Sequence, residues 1–337
     1  MKFLIAGLGS IGRRHLRNLV ELGEEDILLY RTHQATLSDA DLDAYPAVTD
    51  LQEAIEQKPD AVIISNPTAL HVGVAIPCAK AGCALFLEKP LSTSMEGLHE
   101  LNRSLQATGK PALVGFQFRF HPAFQQIARW IRDGVIGRVI SSNVYWGEYL
   151  PDWHPWEDYR LSYSARKELG GGVVLTLCHP IDYLRWLLGE VCEVSAFVGK
   201  ISDLELEVED AAEITMRHAS GALSHIHLDY YTRPKIHTLE ISGSNGAIVW
   251  DEASNEARYF SDAEKRWIAF RPSQDFERND LFLAEMRHFL AVLKNQEEPQ
   301  CLFSDGVRVQ EIIMSAYQSS EHKQSVVALP EFSGSKA

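Results

Sequence analysis

Three short stretches of this chain carry groups able to do chemistry. "GLGSIG" sets Gly7, Gly9 and Gly12 in the spacing GxGxxG, directly after the apolar run "KFLIA" and at the head of the helical pattern "SIGRRHLRNLVEL". In that context Gly7 permits a tight turn, Gly9 lets the backbone approach a pyrophosphate, and Gly12 lets helix and strand pack closely. Ser10 and Ile11 then open a helix whose N-terminal amides favour an anion. Lys89 follows the apolar run "CALFL" and precedes Pro90; that is the carboxyl edge of a strand, where ligands of such folds bind. Farther on, "ELGGGVVLTLCHPIDYLRWLLG" runs from Glu168 to Gly189, with His179 and Asp182 three residues apart on one helical face. A neutral imidazole suits the removal of an alcohol proton near pH 7. Taken alone, a histidine in such a helix is more often a packed core residue.

The end of the second strand bears on which dinucleotide is held. An NAD site places an acidic residue there to hold the ribose hydroxyls, whereas "DILLYRTH" ends in Arg31 and Thr32. An arginine at that point can pair with the 2'-phosphate of NADP, so NADP is expected ahead of NAD, with use of NAD or of both left open.

The elements that position these residues fall into two halves. From Met1 to Phe118, the apolar runs "KFLIAG", "DILLYR", "DAVIIS", "CALFLE" and "PALVGF" alternate with helical patterns such as "TDLQEAIEQ". Continuous apolar strands separated by helices predict a doubly wound parallel sheet, a Rossmann domain over 1–118. Over 119–337 the pattern shifts to strands joined by turns, with Ser220-Gly221 and Ser244 to Gly246 as hairpin turns. This predicts an α/β domain with a mainly antiparallel sheet, with Ser304 or Asp305 capping its final helix. Three consecutive glycines at the head of "GGGVVLTLCHP" weaken a helix interior, so they are expected to bring a helix start against another surface, the nicotinamide and substrate.

Length and charge narrow the partners. A chain of 337 residues with 45% apolar side chains fills two ordinary cores. A formal net charge of -14 argues against nucleic acid or an anionic membrane surface and leaves a small molecule as the expected partner. No apolar run is long enough to span a bilayer, and the N-terminal stretch carries glycines with Lys2, Arg13 and Arg14, unlike a signal peptide. The five cysteines are scattered and lack a CxxC pair, which suits reduced thiols in the cytoplasm and gives no zinc site. His225 and His227 form an HxH pair on one strand face; without a third ligand, a sheet or interface role outweighs a metal site.

Taken in order, "GLGSIG", "SNPTALH" (65–71), "LEKPLS" (87–92), "GFQFRFHP", "GGGVVLTLCHPIDYLRWLLG", "EMRHFL" and "SDGVRVQEII" resemble the glucose-fructose oxidoreductase, inositol dehydrogenase and MocA family of NAD(P)-dependent oxidoreductases. The resemblance covers nearly the whole chain. It implies a Rossmann domain followed by an α/β domain whose open sheet carries the substrate on one side and a homodimer or homotetramer interface on the other, with the C-terminal helices returning to the first domain. It also implies cofactor contacts at Asn66, Pro67, His71, Glu88, Lys89 and Gln117, and a substrate-facing Arg119. Lys89 would polarise or deprotonate the reacting hydroxyl and His179 would serve as catalytic base. Thr176 stands where many members keep an aspartate, so a histidine-aspartate dyad would have to use Asp182 or be absent.

The segment "YWGEYLPDWHPWEDYRLSYSAR" adds aromatic faces suited to sugar rings, with Trp153, Trp156 and Tyr163 as candidates. Arg160, Arg166 and Lys167 are there to meet a substrate carboxylate or phosphate. With the family's habits this favours a sugar, cyclitol, sugar acid or nucleotide-sugar. Two alternatives stand beside a simple dehydrogenase: a redox-neutral enzyme with retained NAD that epimerises or eliminates, and a non-catalytic sensor on the same fold, against which the presence of Lys89 and His179 argues.

Overall fold

The computed structural model describes residues 1–32 and 42–332. They form two compact units, Met1–Gln117 with Glu277–Val307, and Phe118–Phe276 with the chain from Arg308 onward.

In the first unit the strands are short and mostly apolar. They are β1 (Phe3–Ala6), β2 (Ile27–Tyr30), β3 (Ala47–Val48), β4 (Ala61–Ile64), β5 (Ala84–Leu87) and β6 (Ala112–Val114). Of these, β1, β4, β5 and β6 are buried throughout, as cover on both faces requires. All pair in parallel in the order β3-β2-β1-β4-β5-β6, with Phe3 opposite both Ile27 and Ala61. The helices are α1 (Ser10–Glu21), α2 (Leu51–Glu56), α3 (His71–Lys80) and α4 (Leu98–Thr108). The order reverses at β1, so the ends of β1 and β4 form the crevice where ligands of such sheets bind. A later helix, Arg278–Leu293, adds Met286, Phe289 and Leu290 to the core of Ile5, Leu16, Leu19, Ile63 and Phe86.

The second unit comprises α5 (Pro122–Arg132), β7 (Val139–Gly147), α6 (Val173–Thr176), α7 (His179–Leu188), β8 (Val191–Gly199), β9 (Ala211–His218), β10 (Leu223–Asp229), β11 (Ile236–Gly243), β12 (Gly246–Asp251), β13 (Glu256–Ser261) and β14 (Arg266–Phe270). After the first unit's α8 (Arg278–Leu293) come α9 (Phe303–Glu321) and β15 (Val327–Ala328). The sheet order is β14-β13-β12-β11-β7-β10-β9-β8-β15, antiparallel throughout except for β10 on β7. Alternate residues such as Ile214, Met216, Ile226, Leu228, Leu239 and Ile241 are buried on one face. Their neighbours Glu213, His225, His227 and Thr238 point to the other. At the head of α9, the Leu302 amide donates to the Asp305 carboxylate at 3.0 Å.

The stretch from Glu168 to Gly189 differs from one continuous helix. It forms a single turn of 3-10 helix at Lys167–Leu169, then α6, a break at 177–178, and α7. Pro180 accounts for the break, because it has no N–H to give to the carbonyl of Thr176. Among the described residues no helix is long and apolar enough to cross a membrane, and all five cysteines are free thiols.

Candidate active site

At the crevice of the first unit the glycines meet strict steric limits. Gly7 has φ +98°, and a Cβ there would collide with the backbone of Asn66; one on Gly12 would collide with the Gly7 carbonyl and stand 2.7 Å from Ser65 Oγ. Among the described residues nothing lies within 4 Å of a Cβ built on Gly9, so they leave the space above it open. Ser65 Oγ donates to the Gly7 carbonyl at 2.8 Å and ties β4 to the turn. Asn66 Oδ1 is buried without a hydrogen-bond partner among the described residues, an acceptor suited to an amide or ribose hydroxyl. These features fit a dinucleotide: Ser10 and Ile11 start α1, Pro67 leads into the turn at Thr68–Leu70, and Arg31 and Thr32 follow β2.

Two of the expected cofactor residues hold the scaffold. His71 is buried between the carbonyls of Pro90 (Nδ1, 2.9 Å) and Asn66 (Nε2, 2.8 Å), and burial lowers its pKa against the pull of those carbonyls. Glu88, 7% exposed, bonds His15 Nε2 at 2.7 Å and accepts from the Lys89 amide at 3.3 Å. Burial alone would raise its pKa, but the bond from His15 and the charges of His15, Lys89 and His71 bring it below the usual carboxylate value. Glu88 thus pins the end of β5 to the fingerprint helix, and Lys89, half-buried, follows it at the strand's carboxyl end. Gln117 is buried just beyond β6.

In the second unit the break between α6 and α7 presents Thr176 and His179, both buried. His179 lies on the face of Trp146 (centroids 5.9 Å apart, planes 19°) and beside Phe118 (5.2 Å), which fixes the ring plane. Asp182, on α7, meets the chain entering this unit. Its two oxygens take Arg119 Nε at 3.0 Å and Nη2 at 2.6 Å, and both partners are buried. A bidentate pair of that kind makes Arg119 and Asp182 a structural brace between the chain entering this unit and α7.

The glycine triplet answers to this unit's own loop. Gly170 ends the 3-10 turn with φ +85°, and a Cβ on Gly171 would strike the carbonyls of Tyr163 and Ser164. Gly172, φ +116°, lies against the Glu209 carboxylate. Glu209 accepts from Tyr317 Oη at 2.6 Å and from the Val174 amide at 3.4 Å, so it anchors the start of α6; burial pushes its carboxyl up. Beside it Tyr230, fully buried, donates to the Ser164 carbonyl at 3.5 Å. Glu209, Tyr230 and Tyr317 were missed by sequence reasoning. "LELEVED" reads as a solvated acidic run, and nothing in the spacing shows that three distant segments meet under the triplet.

The aromatic segment is split in the same way. Trp153 packs edge-on against Tyr230 at 5.5 Å, with its indole N–H buried and without a partner among the described residues. Trp156 is 71% exposed and Tyr163 39%. Arg166 pairs with Glu168, and Arg160 with Asp158 and Glu205. On the outer face, His225 and His227 both bond Glu213, and no group of three metal-binding side chains occurs among the described residues.

Residues 1–116 match the family model described as "Oxidoreductase family, NAD-binding Rossmann fold", and residues 124–249 match "GFO/IDH/MocA C-terminal domain". The chain is 28% identical to a myo-inositol 2-dehydrogenase of Thermotoga maritima, across 97% of this chain and 98% of that protein. It is 26% identical to a levoglucosan dehydrogenase of Pseudarthrobacter phenanthrenivorans, across 81% and 80%. Its fold is that of a levoglucosan dehydrogenase solved in complex with NADH, with TM-score 0.86, 20% identity, and coverage of 98% of this chain and 100% of that one.

Proposed function

The chain belongs to the Gfo/Idh/MocA family of NAD-binding oxidoreductases that act on CH–OH groups, and from that premise we propose that its substrate is a sugar, cyclitol, sugar acid or nucleotide-sugar. Bound NAD(P) supplies the hydride acceptor or donor. His179, held on Trp146, takes the proton of the reacting hydroxyl as its base, and Lys89 polarises the oxygen. Thr176 meets a substrate hydroxyl, and Trp153, Trp156 and Tyr163 give the apolar faces of the ring something to pack on. The His179 ring, buried at the break between α6 and α7 and packed on Trp146 and Phe118, carries the assignment of the imidazole as base.

The test is NAD+ and NADP+ reduction with a panel of myo-inositol, scyllo-inositol, levoglucosan and sugar acids. Lys89→Ala and His179→Ala are each expected to lower turnover by about 100-fold or more with NADH binding retained; a wild-type rate in either variant would refute that residue's role. Arg31 beyond β2 supports a preference for NADP over NAD through the 2'-phosphate. If NAD+ is the better cofactor and Arg31→Ala changes neither rate, that preference is wrong. Scattered free thiols suit a reducing compartment, and we place the protein in the cytoplasm.

A further inference from the structure

His179 is the first residue of α7, just past the break at 177–178, and Tyr183 stands one turn further along the same helix face. The sheet meets that face with a matching pair: Trp146 of β7 and His237 of β11 are cross-strand partners, and both side chains are buried. Their rings are stacked, with centroids 4.0 Å apart and planes 12° apart. His179 lies on Trp146, and the Tyr183 hydroxyl reaches His237 Nε2 at 3.2 Å. Two residues of one helix turn thus rest on two neighbouring residues of the sheet.

The far side of the His237 ring sets the direction of the Tyr183 bond. Nδ1 lies 3.2 Å from Glu252 Oε2, and the Glu252 amide donates to the His237 carbonyl at 3.0 Å. Lys235 Nζ stands 2.9 Å from either Glu252 oxygen. Burial would raise the Glu252 carboxyl, but His237 and Lys235 bring it down to about 2, so it only accepts and Nδ1 carries the proton. Burial lowers the His237 pKa and keeps the ring neutral, which leaves Nε2 a bare acceptor. Burial also pushes the Tyr183 phenol well above its usual value, so it keeps its proton and donates it to Nε2. The Trp146 plate is fixed separately, since its Nε1–H donates to Glu148 Oε1 at 2.7 Å.

We infer that His237 is a positioning residue for the base: by accepting the Tyr183 hydroxyl beside Trp146, it sets α7 on the sheet so that the His179 ring lies on the indole. Trp146 fixes the plane of that ring, and the bond between Tyr183 and His237 fixes where along the sheet it stands. The inference rests on the reading of His179 as the base.

The experiment measures kcat and KM, on the best substrate of the panel above, for wild type, Tyr183→Phe, His237→Phe and the two together. Each is made in the wild-type and His179→Ala backgrounds, with a thermal melt of every variant. Both replacements keep an aromatic ring and remove one end of the bond. Each single variant should cost about tenfold in kcat/KM, almost all of it in kcat, and the double variant about the same tenfold, because one bond is lost in all three. In His179→Ala the cost should shrink below about twofold. The double variant leaves neither a bare hydroxyl nor a bare ring nitrogen, so it should melt above either single variant while its rate stays low. That outcome separates placement of the base from stability. A wild-type kcat for Tyr183→Phe, a loss of about a hundredfold in the double variant, or an undiminished cost in His179→Ala overturns the inference alone. A wild-type rate for His179→Ala overturns the base reading and the inference with it. Crystal structures of wild type and Tyr183→Phe give a readout that needs no turnover: the His179 and Trp146 centroids, 5.9 Å apart, should separate in the variant, and an unchanged stack overturns the inference. If wild type turns over no sugar, the sugar-alcohol reading fails, and the crystallographic comparison alone decides the role of His237.

Discussion

Gly9 is the residue at which folding and dinucleotide binding separate. Its φ of -70° suits any L-residue and a Cβ there touches nothing among the described residues, whereas Gly7 and Gly12 are each required by the turn itself. Gly9→Ala is therefore expected to leave the melting temperature unchanged within error while weakening NADH by at least about tenfold, roughly 1.4 kcal/mol. Fluorescence titration beside a thermal melt measures both; unaltered NADH affinity would show that no phosphate comes close at this point. Arg119 and Asp182 make the opposite case, because a buried pair is costly to break from one side. Asp182→Asn should lose about 3–5 kcal/mol of stability through the stranded guanidinium. A loss under about 1 kcal/mol in urea denaturation would mean that the brace is solvated.

Among the elements, β10 carries most of what the second unit needs. Its outer face sets His227 between two carboxylates, Nδ1 to Glu213 at 2.6 Å and Nε2 to Asp229 at 2.9 Å, with the Tyr145 ring stacked at 4.3 Å. Burial opposes the imidazolium, but the bonds and charges of Asp229 and Glu213 outweigh it and raise the His227 pKa. Asp229 lies low: burial would raise it, but the bonds from His227, Thr232 and Tyr231 prevail. A histidine raised above its unfolded value of about 6.5 contributes stability that is complete below that pH and fades as pH climbs through the folded pKa. The urea midpoint should accordingly fall as pH rises above about 6.5, and His227→Gln should flatten that slope. An identical slope in the variant would place the titrating group elsewhere. Asp229 works at the acid end, where its contribution is lost as pH drops through its depressed pKa.

For the whole molecule, the nine-stranded sheet leaves Phe197, Leu223 and Ile236 from 39% to 47% exposed on the face that also bears Glu213, Arg217 and Thr238. The family resemblance assigns a homodimer or homotetramer to that face. Sedimentation should return one of the two, and Leu223→Arg with Ile236→Arg should return monomer; a monomeric wild type would refute the assignment.

Much of this was legible along the chain because the signals are local. GxGxxG after an apolar strand, wholly apolar β1 and β4, strict alternation in β9 and β10, and glycine turns at Gly221 and Gly246 each need only their own neighbours to be read. The same holds for Lys89 ahead of Pro90 and for His179 three residues after Thr176. Tertiary structure alone decided the partners. Asp182 reads along the chain as a group that orients His179 or caps a local network, and the fold gives it Arg119, sixty-three residues away in sequence. The glycine triplet looked like room for a ligand, and the crowding comes from Ser164 and Glu209. Tyr230 and Tyr317 carried no signal at all. Periodicity records which face of an element is buried, but which polar group each buried polar group meets is settled by chain crossings that no spacing rule encodes, and those meetings decide which residues are left to act on a substrate.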